Sequence, residues 1–210
     1  MSTKDKQYAG TFNELIRPAL DRAPEYSIAS AVLAIPYFGN HYRERLRPYV
    51  EKYKKEHDEL LKQHPYGIPL GTRHWAGDAE VVSWVVTNYH LHKAFQNIIG
   101  PEYAIRGIDY IFSCHPYSNI SFVAGVGTDS KKIAYGNNRA DFSFIAGDVV
   151  PGVLVLQPDF PENQENWPFI WDENECVRDI CADYILLSNV VTDLLNNRTG
   201  PICPLFGYLD

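Results

Sequence analysis

Trp171-Asp172-Glu173-Asn174-Glu175, within the longer stretch Tyr110 to Leu195, decides how this chain reads. An apolar strip leads in from Tyr110. A segment from Cys114 to Glu173, rich in Gly, Pro, Asn and aromatics, follows without helical period, and a helix is expected to open at the acidic run. Loops of that length are uncommon in compact domains unless they serve a function. Glu175 is thus expected at the mouth of the last helix, about 174–197, facing a long site-forming loop, 114–173.

Outward from that stretch, composition bounds the answer. The 210 residues, 45% hydrophobic and 21% charged, suit one domain with a sizeable core. A net charge of −7 argues against nucleic acid, since phosphates need neutralising. No apolar run approaches the ~18 residues of a membrane span. The polar start MSTKDKQYAG lacks a signal-peptide core, so the chain as given reads as soluble and cytoplasmic. The 14 Tyr, 10 Phe and 4 Trp suit sugar faces and a plain core alike. Cys176 and Cys181 diverge on one helix, and neither they nor Cys114 and Cys203 have zinc spacing, so free thiols are expected. Nothing implies a cofactor.

Upstream, residues 8–21 read as a helix with Phe12, Leu15, Ile16 and Leu20 on one face, its last turn weakened by Pro18. Ser27 to Leu33 forms a brief helix stopped by Pro36 and Gly39. His41 to Gln63 is a long helix with a thin stripe (Leu46, Tyr49, Val50, Tyr53, Leu60, Leu61), a solvated charged face, and a kink or break at Pro48. The Pro- and Gly-rich stretch from His64 to Trp75 is loop. Asp78 is the expected N-cap of a helix, Ala79 to Asn97, apolar nearly all round and so packed on more than one side. Gly100-Pro101 turns it into a helix to about Ser113, an αα-hairpin. Antiparallel helix pairs with one long irregular insertion point to an all-α fold of the helical-barrel kind. Periodicity alone leaves barrel and bundle both open.

Glu175 has two readings. Asp172 with Glu175 three residues later is a capping pattern, and a first-turn acid suits the helix dipole. Alternatively, Trp167, Phe169, Trp171, Asp172 and Glu173 raise its carboxyl into the range of a general acid. Arg139, in YGNNRAD, is either a sugar-clamping fork or the partner of Asp141. His74 and His115 read as structural histidines. The His64/His74 and His90/His92 pairs lack the spacing of a helical metal site, and Gly125 and Gly127 are too sparse for a phosphate loop.

The ordered set RHWAGD, DYIFSCHPYSNISFVAGVG, NNR, VVPGVLVLQPD and W-x-x-Asn174-Glu175 resembles the C-terminal part of glycoside hydrolase family 9. That family has asparagine-proline, then serine-phenylalanine-valine-x-glycine-x-glycine, a histidine–arginine motif, valine-proline-glycine, and tyrosine-x-x-asparagine-glutamate before the last barrel helix. His115-Pro116, Ser121-Phe122-Val123 with Gly125 and Gly127, Arg139, Val150-Pro151-Gly152, Pro158 and Asn174-Glu175 hold those places here. The resemblance spans about residues 70–196. Residues 8–63 would match earlier barrel helices.

What it implies is the C-terminal portion of an (α/α)6 barrel, a six-hairpin glycosidase cleaving β-1,4-glucans or related β-glycosides with inversion. Inverting enzymes hold two carboxyl groups roughly 6.5–9.5 Å apart. On matching positions Glu175 is the general acid and Arg139 a sugar contact; Asn137, Asn138, Trp171, His74 and Trp75 are further candidate substrate-binding residues.

Departures from the pattern touch specificity. Asn137-Asn138 stand where histidines are expected, Trp171 where a tyrosine is, and Leu156-Gln157 where glycines are. The family's catalytic base lies in an upstream aspartate-alanine-glycine-aspartate motif. Ala76-Gly77-Asp78 and Ala146-Gly147-Asp148 lack its leading aspartate and read as coincidences. The chain is therefore expected to hold the acid without the base, as a fragment of a longer enzyme. Its partners would be an oligosaccharide or polysaccharide and either the missing N-terminal barrel half or a second copy. A non-catalytic carbohydrate- or protein-binding helical module is the alternative.

Overall fold

The computed structural model describes residues 3–63, 67–69, 77–112, 120–131, 144–150, 152 and 177–196. Among them helices dominate: α1 (Thr3–Arg22), α2 (Pro24–Leu33), α3 (Ile35–Gln63), α4 (Gly77–Ala94), α5 (Glu102–Ile111) and α6 (Arg178–Asn196). The only strands among the described residues are two-residue pieces, β1 (Ile120–Ser121) and β2 (Asp129–Ser130), paired in parallel. The all-α expectation holds at this level.

α2 ends at Leu33 as expected, ahead of Pro36 and Gly39, and the prolines inside α1 and α3 do not end their helices. α1 runs through Pro18 to Arg22, and α3 runs through Pro48. Each proline deprives the carbonyl four residues earlier of its N–H partner. Here those residues, Glu14 and Glu44, are exposed, as are both prolines, so water takes the place of the lost bond. Pro36 is the second residue of α3, where a missing N–H costs nothing. The real break is Gly39, at φ 75° and ψ −170°, a conformation open essentially to glycine alone.

Helix faces follow the expected periods with local exceptions. Ile16 and Leu20 of α1 are buried, but Leu15 points outward at 66% exposure. α2 begins at Pro24, earlier than Ser27, because proline suits a first turn. In α3, Tyr42, Leu46, Val50 and Tyr53 are buried, while Leu60 and Leu61 are only half-buried. The ion pairs Arg47–Glu44, Lys52–Glu56 and Lys62–Glu59 lie on its solvated face. α1 meets α3 through Phe12 stacked on Phe38, ring centres 5.7 Å apart, and through the Tyr49 hydroxyl donating to Asp21 at 2.7 Å.

α4 is the central helix. It packs against α2, α5 and α6, as its nearly continuous apolar surface requires. Val81, Val82, Val85 and Leu91 have no exposed surface. It ends at Ala94, short of Asn97, where Phe95 to Ile99 form turns and His92 Nδ1 pairs with the Ile99 carbonyl at 2.8 Å. α5 follows and stops at Ile111 instead of Ser113, completing the expected hairpin. Asp78 is not a surface cap: it lies inside the first turn of α4 and is fully buried.

The α4–α5 contact depends on Gly107, where an added Cβ would sit 2.0 Å from Val85 Cγ2. Gly107→Ala is expected to destabilise by about 2 kcal/mol, although alanine favours helices by about 1 kcal/mol over glycine. Adding Val85→Ala makes room. Urea unfolding of the double variant should therefore show a loss well below the sum of the two single losses. Strict additivity would refute the close approach.

Candidate functional site

Two loop pieces, 120–131 and 144–152, interlock into a small platform. Val123 bridges Val149 in antiparallel fashion. Around that bridge Ala124 N–H donates to Asp148 O at 2.8 Å, Val150 N–H to Phe122 O at 3.0 Å, and Gly147 N–H to Ala124 O at 2.7 Å. Phe122, Val123, Ala124, Val149 and Val150 have no exposed surface. Short β-branched and aromatic runs explain the pairing, and the glycines allow its tight turns. Ser121 and Ser130 hold those turns from within: their side-chain oxygens accept from Val123 N–H at 3.1 Å and Gly125 N–H at 2.9 Å.

Three helices anchor the platform. Phe122 N–H donates to Ile111 O at 3.0 Å, fixing it to the end of α5, and the Phe122 ring packs on Tyr110. Gly77 N–H donates to Gly152 O at 2.9 Å, fixing it to the start of α4. The Cys181 thiol donates to Asp148 Oδ1 at 2.8 Å, fixing it to the first turns of α6. Cys181 is a free thiol, in keeping with the diverging cysteine positions.

Every residue singled out from the sequence for chemistry lies outside the described residues: Glu175, Arg139, Asn137, Asn138, Trp171, His74 and Trp75. The described flanks of their segments, however, share the platform. Gly77 follows His74 and Trp75; Lys131 and Phe144 bracket Asn137, Asn138 and Arg139; Gly152 and Val177 bracket Trp171 and Glu175. The start of α6 corrects one expectation. The helix begins at Arg178 and not at Asn174, with Val177 outside it and the Val177 carbonyl accepting from Cys181 N–H at 3.1 Å. Glu175 is therefore three residues ahead of the first helical residue in sequence, and itself lies outside the described residues.

Sequence reasoning missed the buried polar residues of this region. Asp78, Asp148 and Lys131 are at most 2% exposed. Both aspartates belong to the Ala-Gly-Asp triplets read as coincidences, and each lies against the platform. An ionised side chain in a dry interior is costly unless partnered. A lone acid after Ala-Gly carries no sequence signal of burial, so only a three-dimensional neighbour list could have revealed it.

Comparison with family models, with curated proteins and with solved structures returned no match.

A second polar region lies between α3, α4 and α5. Lys54 Nζ donates to Asp58 Oδ2 at 2.5 Å and to the Tyr103 hydroxyl at 3.1 Å, and Tyr103 also donates to Asp58. Beside it the Asn88 amide donates to the Tyr53 hydroxyl at 3.0 Å and to Trp84 O at 2.8 Å. Burial pushes the Tyr53 phenol up, so it stays protonated. Among the described residues no group of His, Cys, Asp and Glu converges to hold a metal ion. None of the described helices is long and apolar enough to cross a membrane.

Burial holds the His57 and His90 imidazoles below their ordinary value. Unfolding frees both to take up protons, so acid favours the unfolded chain. Their contribution is fully present above the unfolded value of about pH 6.5 and is lost as pH falls from there through the lower folded-state values. The melting temperature is accordingly expected to fall between pH 7.5 and 6.0, and His57→Gln to reduce that fall. A flat profile would show that these rings keep their ordinary affinity for protons.

Proposed function

We propose that this chain is the C-terminal portion of a family-9-like glycoside hydrolase acting with inversion on the β-glycosidic bonds of a glucan or related oligosaccharide. Glu175 is the general acid that protonates the leaving oxygen. Arg139, with Asn137 and Asn138, binds the sugar beside the cleaved bond, and Trp171, His74 and Trp75 line the groove. The base that activates water comes from a complementary piece.

One observation carries the reading: motif residues far apart in sequence converge. Ser121, Phe122, Val123, Gly125 and Gly127 of one motif and Val150 and Gly152 of another knit into a single platform. In sequence Trp75 is two residues from Gly77 and Glu175 two from Val177, both anchored to that platform or next to its anchor. In sequence Glu175 is close to Trp167, Phe169, Trp171, Asp172 and Glu173, the residue types that raise a carboxyl toward the range of a general acid.

Exposed apolar side chains support the need for a partner. Tyr8 and Leu15 of α1, Leu33 of α2, Tyr37 of α3, and Ile185 and Leu195 of α6 range from 49% to 76% exposed. The isolated chain is expected to associate as concentration rises, read by light scattering, and to hydrolyse β-glucan negligibly. Mixed with the base-bearing N-terminal half of a family-9 enzyme, it is expected to restore release of reducing ends. A complex that forms and yet releases none would overturn the hydrolase reading.

A further inference from the structure

The cleft between α2, α3 and the first turns of α4 has about 600 Å³ of space, within the range of small-molecule sites. Tyr26, Tyr53, His57 and Trp84 supply aromatic surface to it, and Glu25, Glu56 and Glu80 supply carboxylates. Among the described lining residues there is no lysine or arginine; the exposed Lys52, outside the lining, pairs with Glu56 at 3.7 Å. Tyr26 stands at the mouth, 83% exposed, whereas Trp84 and Tyr53 are buried and fixed. The Tyr53 hydroxyl is held by Asn88, and the His57 ring stacks on Tyr53 with centres 3.8 Å apart.

The chemistry of these walls is one-sided. His57 Nδ1 lies 2.9 Å from the Tyr53 carbonyl, an acceptor, so Nδ1 carries the proton and Nε2 keeps its lone pair. The imidazole is neutral near pH 7 because burial lowers its proton affinity, so it adds no positive charge. Carboxylates, an imidazole lone pair and the negative faces of aromatic rings all accept hydrogen bonds or attract cations. A neutral sugar could stack on the rings and give hydroxyl protons to these acceptors, but it would gain no charge attraction from the carboxylates or the ring faces. A protonated amine finds three kinds of partner together.

We infer that this cleft binds a protonated amine carried on a compact ring, with the ring against Tyr26 and Trp84 and the ammonium beside Glu25 and Glu56. The inference stands independently of the hydrolase reading. Two sources share that chemistry: an amino sugar and an arylalkylamine.

Calorimetric titration of the full chain with glucosamine and with benzylamine separates them, with glucose and benzyl alcohol as neutral counterparts. At least one amine is expected to bind about tenfold or more tightly than its neutral counterpart. Because Glu25, Tyr26 and Glu56 are exposed, their substitution leaves the fold intact, checked by circular dichroism. The double variant Glu25→Gln/Glu56→Gln is expected to weaken amine binding about tenfold, and Tyr26→Ala about threefold. Binding of glucosamine alone assigns the amino sugar; binding of benzylamine alone assigns the other source. Amines that fail to bind, that bind no better than their neutral counterparts, or that bind the double variant equally well overturn the inference.

Discussion

Replacing Glu175 with glutamine is expected to remove at least a hundredfold of the β-glucan hydrolysis restored by a complementary barrel half. Glutamine keeps the shape and polarity of the side chain but has no proton to give a departing oxygen. General acid catalysis contributes roughly 10²–10⁴-fold to such reactions. The size of the loss should depend on the leaving group. A dinitrophenyl glycoside departs as a stable phenolate without protonation, so its cleavage should suffer far less than that of glucan. The alkaline limb of the pH–rate profile, which reports loss of the acid's proton, should also vanish in the variant. Equal losses on both substrates would assign Glu175 a structural part. Oligosaccharide binding unchanged by the substitution, with no turnover even before it, would favour a non-catalytic module.

Gly152→Ala is expected to destabilise the fold by about 3 kcal/mol or more, read by urea unfolding. Two costs combine at this position. Its φ of 69° is left-handed backbone, which costs a residue bearing a Cβ about 1–2 kcal/mol. The added Cβ would also lie 2.3 Å from Asp78 Oδ2, on a fully buried carboxylate that cannot swing into water. Gly147→Ala separates the two costs. Gly147 has φ 82° but nothing within 4 Å of the added atom, so it should lose only the backbone part. Equal losses at the two positions would show that Asp78 yields easily. In the hydrolase reading Gly152→Ala should also lower restored activity, since Gly152 O is bound to Gly77 N–H and the segments bearing Trp75 and Trp171 leave from these residues.

Much of the fold was legible because it is local. An apolar surface all round α4 can only mean burial on several sides, and Gly100-Pro101 forces a turn between two helices. The effect of Pro36 and Pro48 could not be read locally, because proline's cost depends on where the chain has already placed a residue. An exposed carbonyl loses little to water, and a first-turn position loses nothing. Leu15 and Leu195 fit the period of their helices yet lie 66% and 49% exposed, since a period says which residues share a face but not whether a neighbour covers it. Of the site, the order of motifs could be read, and the expected chemistry of Glu175 and Arg139 follows from that order alone.

By itself, then, the sequence determined that helices alternate with turns, which of them is central, and that one long segment breaks the pattern. These depend on spacings of a few residues, over which chain geometry is rigid. Only the tertiary structure decided that loop pieces twenty residues and more apart interlock, that α6 starts three residues beyond Glu175, and that Asp78 and Asp148 are buried against that junction. The physical reason is that burial and hydrogen-bond partnership belong to the neighbours that folding supplies. An aspartate in solvent and an aspartate in a core are spelled alike.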